Sequence, residues 1–137
     1  MRAPGLAAKL GIKPGTRTLL QGAPAEFIAL LGTLPDGAKL LKRSTGGADC
    51  VVAFVRNQAD VKRITPSALS AITDDGLLWF AYPKLSGPLK SDLSRDKGWE
   101  PLFRAGFDTV AQISIDETWT GFRFRPKRLV GKSRNAN

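Results

Sequence analysis

The stretch "ADCVVAFVRN", Ala48 to Asn57, holds five consecutive apolar residues, Val51 to Val55, between Asp49 and Arg56. The run is too short for a buried helix and shows no apolar–polar alternation. It reads as a strand covered on both faces, the pattern of a parallel sheet sandwiched between helices.

The flanking segments repeat that logic. Upstream, "TRTLLQGA" (16–23) is an apolar β-type run ending at Gly22, and "PAEFIALLGTLPDG" opens a helix with Pro24 in its first turn. "AKLLKRST" (38–45) is a second strand, with Gly46-Gly47 as its exit. Downstream, Gln58 to Ile72 turns helical, with a break or restart expected at Pro66. "DDGLLWFAYPK" is a turn followed by an apolar strand over Leu77–Tyr82. "SDLSRDKGWEPLFRAG" is expected to be a helix capped by Ser91 or Asp92 and ending at Gly106, with Trp99 covering the sheet. "FDTVAQISID" and "TWTGFRFRP", joined by a very short connection, are antiparallel neighbours. Alternating strands and helices give a single α/β domain with a mostly parallel sheet of about six strands in three layers, closed by an antiparallel hairpin. The domain is expected over 1–127, with 128–137 a basic, disordered tail.

Composition narrows the chemistry. The 137 residues include no histidine and one cysteine, Cys50. That excludes Ser-His and Cys-His dyads and histidine-ligated zinc, and it leaves carboxylates, Lys, Tyr or substrate positioning for any catalysis. Cys50 lies inside the central strand and reads as a buried structural thiol. The lone cysteine, the lack of a membrane-length apolar run and an N-terminus unlike a secretory signal make the cytoplasm the expected compartment. Net charge is +9, but residues 123–134 carry six of the 21 basic residues and no acid. The remainder holds 15 basic against 12 acidic residues and is only mildly basic.

"DDGLLWFAYPK" resembles the turn and fifth strand of class I S-adenosylmethionine methyltransferases, and the closing pair resembles their sixth and seventh strands. "KLGIKPGTRTLL", "ADCVVAFV", "LWFAYPK", "SDL" and "DETWTGFRF" resemble a small bacterial family classed as a domain of unknown function, over residues 9–127. The resemblance implies a shortened, methyltransferase-like Rossmann fold lacking one strand–helix unit after "AKLLKRST".

In such folds ligands sit outside the carboxyl ends of the parallel strands, at the switch in strand order. The first strand should end in a glycine-rich loop and the second in an acid for the ribose hydroxyls. Here the first ends "LLQGAPAEF", with Gly22 alone, and the second ends Lys42, Arg43, Ser44, Thr45. Both departures disfavour S-adenosylmethionine. Arg43 and Ser44 fit a phosphate, as in NADP-type pockets, although strand-end charges are also commonly just solvated. Arg56, Asn57 and Lys84 close neighbouring strands beside Gly22 and form a candidate groove for a phosphate or carboxylate. Ser86, Lys90, Ser91 and Asp92 lie in a loop able to close over it.

The "DETW" corner is the other candidate. Asp116 and Glu117 are the available general bases, with Thr118 and Trp119 as ligand contacts; the structural alternative is a polar hairpin turn with Trp119 covering the sheet edge. Phe122 and Phe124 alternate with Arg123 and Arg125, so rings and charges occupy opposite strand faces. That separation argues for a solvated arginine face rather than a stacking platform for nucleic acid, leaving only non-specific, salt-sensitive phosphate contact.

The reading is therefore a non-catalytic or degenerate methyltransferase-like domain that binds a small anionic ligand or a protein partner. One alternative is a transferase using S-adenosylmethionine, NADP or a nucleotide by proximity. The other is a non-specific nucleic-acid binder. No metal site is expected, and exposed edges at the second strand or closing hairpin offer surfaces for a homodimer.

Overall fold

The computed structural model describes residues 5–43 and 46–131. Its elements in chain order are α1 (Leu6–Leu10), β1 (Arg17–Gln21), α2 (Ala25–Leu31), β2 (Lys39–Leu41), β3 (Ala48–Phe54), α3 (Gln58–Ala71), β4 (Ile72–Pro83), α4 (Glu100–Arg104), β5 (Phe107–Ser114) and β6 (Trp119–Pro126). A 3₁₀ turn over Lys127–Leu129 follows, past the expected boundary at 127; residues 132–137, the rest of the expected tail, lie outside the described residues.

The six strands form one sheet in the order β2-β1-β3-β4-β6-β5. β1 pairs in parallel with β2 and β3, β3 pairs in parallel with β4, and β6 runs antiparallel to both β4 and β5. As the apolar run of β3 requires, Val51 to Val55 are all buried. Alternation sends Cys50, Val52 and Phe54 into one core, with Leu10 of α1 and Phe27 and Leu31 of α2. Val51 and Ala53 enter the other, with Val61, Ile64 and Ala68 of α3 and Leu102 of α4. Helices on opposite faces of a parallel sheet make three layers, wound outward in both directions from the β1–β3 boundary. On the β2 side the sheet ends where a doubly wound sheet commonly carries a further strand.

Four local features depart from the sequence reading, for identifiable reasons. No helix begins at Ser91 or Asp92. Both side chains cap, but through space: the Asp92 carboxylate accepts the Gln58 N–H at 2.8 Å and Ser91 Oγ donates to the Arg56 carbonyl at 2.6 Å. The chain stays irregular to Gly98, whose φ of 103° and close approach to Leu93 and Gln58 fit glycine alone, so α4 is only five residues. Pro66 does not interrupt α3, because Pro66 and Lys62, whose carbonyl loses its donor, both face solvent. The short α1 has no side-chain cap at its start and left no periodic signal.

The fourth concerns the arginines of β6. Phe122 and Phe124 are buried against α3 and α4, as the alternation requires, but Arg125 is buried too. Residues 73–76 buckle out of register with β3, and Asp75 adopts φ 57°. The buckle presents the Asp75 carboxylate to Arg125 as a two-point ion pair, Nε–Oδ1 at 2.8 Å and Nη2–Oδ2 at 3.0 Å. Arg125 is thus a structural residue of the β4–β6 seam, not part of a solvated face.

Candidate functional site

The carboxyl ends of β1 and β3 diverge at the point where the strand order reverses, and a cavity of about 380 Å³ opens there on the α3 side. Gln21 and Gly22 enter it from β1, Phe54 and Arg56 from the end of β3, and Asp60, Arg63, Ile64 and Ser67 from α3. Gly22 turns the chain with φ 68°, and a Cβ there would stand 3.4 Å from the Phe54 carbonyl oxygen. Only a residue without a side chain makes this turn cheaply.

The floor of the cavity is organised. Gln21 Nε2 donates to Ser67 Oγ at 3.0 Å, and Ser67 Oγ donates to the Ile64 carbonyl. With the hydroxyl proton committed to Ile64, the amide nitrogen must face Ser67, which leaves Gln21 Oε1 buried without a partner among the described residues. At the rim, Arg63 pairs with Asp60 at 2.8 Å, and Asp60 also accepts the Arg56 N–H at 2.9 Å. The Arg56 guanidinium is exposed and makes no hydrogen bond or salt bridge among the described residues.

The first turn of α3 is already capped. Asn57 Oδ1 accepts the Asp60 N–H at 2.8 Å, and Asp92 covers the Gln58 N–H from the 84–98 loop. Asn57 therefore serves the helix terminus, and the anionic character wanted at that terminus is supplied by Asp92. The Arg63 hydrogen bond, followed by the Arg56 N–H, holds Asp60 below its ordinary carboxylate range. A lowered folded value means the stability is present above the unfolded value of about 4 and is lost as pH falls through the folded one. Asp60→Asn is accordingly expected to lower the urea midpoint at neutral pH, and the gap from the parent should close in acid.

The expected site residues separate into distinct places. Gly22 and Arg56 meet in the switch-point cavity. Arg43 stands exposed beyond the end of β2, outside that lining, and Ser44 lies outside the described residues. Lys84 turns to the hairpin instead: its Nζ donates to Ser114 Oγ at 2.7 Å and its N–H to the Thr118 carbonyl at 2.8 Å. Asp116 Oδ1 accepts the N–H groups of Thr118 and Trp119, both at 2.8 Å, closing the turn between β5 and β6. Trp119 is 6% exposed and meets Phe54 edge-on at a ring separation of 5.0 Å, which makes it core. Glu117 is exposed and, with Asp116, Thr118, Glu26, Ala29 and Leu30, borders a separate shallow cavity of about 580 Å³ beside α2.

Gln21, Asp60, Arg63 and Ser67 were not singled out from the sequence. Their available signal was the i, i+3, i+7 spacing of the three α3 residues, which sets them along one helix face. Among the described residues no three His, Cys, Asp or Glu side chains gather as a metal site, and no helix is long and apolar enough to cross a membrane. Burial pushes the Cys50 thiol up to about 12. It is expected to resist a thiol-disulfide reagent in mildly alkaline buffer and to react fully once the chain is denatured.

No family model matches the chain, and no curated protein does. The resemblance to the small bacterial family thus rests on the quoted residues alone. Solved structures do match. A ribosomal protein L11 methylase from Lactobacillus delbrueckii subsp. bulgaricus superposes with a TM-score of 0.59 at 16% identity, over 88% of this chain and 74% of that one. A protein assigned as a type 11 methyltransferase from Sulfolobus solfataricus gives 0.52 at 12% identity, over 96% and 92%. The fold is methyltransferase-like. A fibrillarin pre-rRNA processing protein from Methanococcus jannaschii is similar at 0.51 and 13% identity, over 84% and 68%. At these identities the likeness concerns the fold, and the methyltransferase-like sheet here ends its first two strands without the acid and glycine-rich loop of a nucleoside cofactor site.

Proposed function

We propose that this methyltransferase-like domain binds a small anionic ligand at the switch-point cavity and does not use S-adenosylmethionine. The observation that carries the reading is the charge at that cavity. The exposed Arg56 guanidinium stands beside the left-handed Gly22, and because Arg63 on the same rim is balanced by Asp60, Arg56 leaves the lining with net positive charge. Beyond β2, Lys42 and Arg43 take the place of a carboxylate. S-adenosylmethionine carries a positive sulfonium, and its ribose hydroxyls call for an acid after the second strand; this rim favours phosphate or carboxylate. Asp116 and Glu117 stand at a different cavity, so the reading is binding rather than catalysis. The nucleic-acid alternative loses one of its two strand arginines, since Arg125 is engaged by Asp75.

A thermal-shift panel of S-adenosylmethionine, its demethylated product, NADP, nucleotides and inorganic phosphate tests this. Phosphate-bearing ligands are expected to raise Tm and S-adenosylmethionine is not. A ligand at 100 times its Kd contributes about 2.7 kcal/mol, a readily measured shift. Arg56→Glu should abolish the response. A shift with S-adenosylmethionine alone, or one indifferent to Arg56→Glu, sinks the proposal.

A further inference from the structure

The two edges of the sheet are unlike. β2 is three residues long, begins with Lys39 and runs into Lys42 and Arg43. Short length and lysines are the usual protections of an exposed edge. β5 has eight residues, no proline and a single charged side chain, Asp108, whose carboxylate accepts the neighbouring Thr109 N–H. Its one irregularity is the bulge at Val110, which leaves Ala111 to Ser114 in regular register with β6.

Which backbone groups face outward is fixed by the turn. The Ile115 N–H donates to the Trp119 carbonyl, so Ile115 faces β6, and by the two-residue period so do Ile113 and Ala111. The N–H and C=O groups of Gln112 and Ser114 therefore point away from the sheet, and both residues are exposed. On one face, Ile113 and Ile115 lean across Gly121 toward Trp79 yet stay half-buried, as does Ala111. α4 packs against β5 on the opposite face, where Leu102 and Phe107 meet.

Electrostatics favours a second copy as the occupant. A chain of net charge +9 repels itself over most of its surface. Residues 109–122 contain no Lys or Arg and only two acids, Asp116 and Glu117; Lys84, which donates to Ser114 Oγ, and Arg95, beside Asp96 near Gln112, border this edge without belonging to it. A two-fold axis through Ile113, normal to the sheet, sets Gln112 against Ser114 of the second copy as a hydrogen-bonded pair, twice by symmetry. The same register stacks Ile113 on Ile113 of the second copy and Ala111 on Ile115 of the second copy. The apolar stripe thus continues across the axis, and no like charges face each other within this stretch.

We infer that β5 is the interface of a homodimer, in which two six-stranded sheets join edge to edge through Ala111–Ile115. Sedimentation of the full chain across a concentration series tests it. The parent is expected to associate reversibly to a dimer. Gln112→Pro removes one outward N–H per copy without touching the β6 ladder; at about tenfold per hydrogen bond it should weaken association about a hundredfold. The double variant Gln112→Lys/Ser114→Lys places like charges opposite each other at both ends of the axis and should sediment as a monomer with unchanged far-ultraviolet circular dichroism. It also decides the matter if the proline variant folds poorly. A parent that stays monomeric throughout, or a dimer that survives the double lysine variant, overturns the inference.

Discussion

Trp99→Ala is expected to remove about 4 kcal/mol from the unfolding free energy, toward the upper end for a single core truncation. Trp99 is 1% exposed at the entry to α4 and sits at the centre of an aromatic cluster. Its ring lies 5.2 Å from Tyr82, 5.4 Å from Phe124, 5.5 Å from Phe122 and 6.1 Å from Phe80. Removing it leaves a cavity bordered by four rings and strips the Ser94 carbonyl of the Nε1–H bond at 2.8 Å. Trp99→Phe keeps an aromatic ring in the site and should cost clearly less. Urea unfolding measures both, and a loss under about 2 kcal/mol for the alanine variant would mean that the cluster relaxes to fill the space.

The second large effect is expected at Phe27. α2 has seven residues, too few to be stable alone, and Phe27 and Leu31 are its buried anchors. Phe27 is fully buried and meets Phe54 edge-on at 4.8 Å. Phe27→Ala should cost about 3 to 5 kcal/mol by the same cavity argument. It should differ from Trp99→Ala in a second readout. Phe54 borders the switch-point cavity, and Gly22 to Pro24 are held in place by α2, so anion-induced stabilisation should shrink along with Tm. Equal anion response in the variant and the parent would show that the cavity does not depend on α2.

What could be read from the chain follows the range of the forces involved. β3 was legible because Val51–Val55 has no polar interruption, and the antiparallel close followed from the short link between two β-type runs. Gly22 and Arg56 could be placed together because parallel strands that adjoin end at the same sheet edge. Contacts made through space were not legible. Ser91 and Asp92 have the chemistry of caps, yet nothing local says that Asp92 caps α3 and Ser91 its approach, 34 and 35 residues away. Arg125 alternates like a solvent-facing residue, and only the buckle at 73–76 brings Asp75 against it. The "DETW" corner divides for a similar reason. Asp116 answers to its own turn, whereas Trp119 begins β6 on the face where Phe54 waits.

The position of β6 sets a condition on biosynthesis. This strand lies between β4 and β5, although it is the last of the six to be made. Until Trp119–Pro126 has left the ribosome, "LLWFAYP" of β4 has a neighbour on one side only, and Phe80 and Tyr82 lack the rings of Phe122 and Phe124. A nascent chain that has reached Ser114 therefore presents an uncharged, aromatic edge with no protection against pairing. Productive folding of the β4 side is consequently a late event: it closes by insertion of the final strand rather than growing outward from the first.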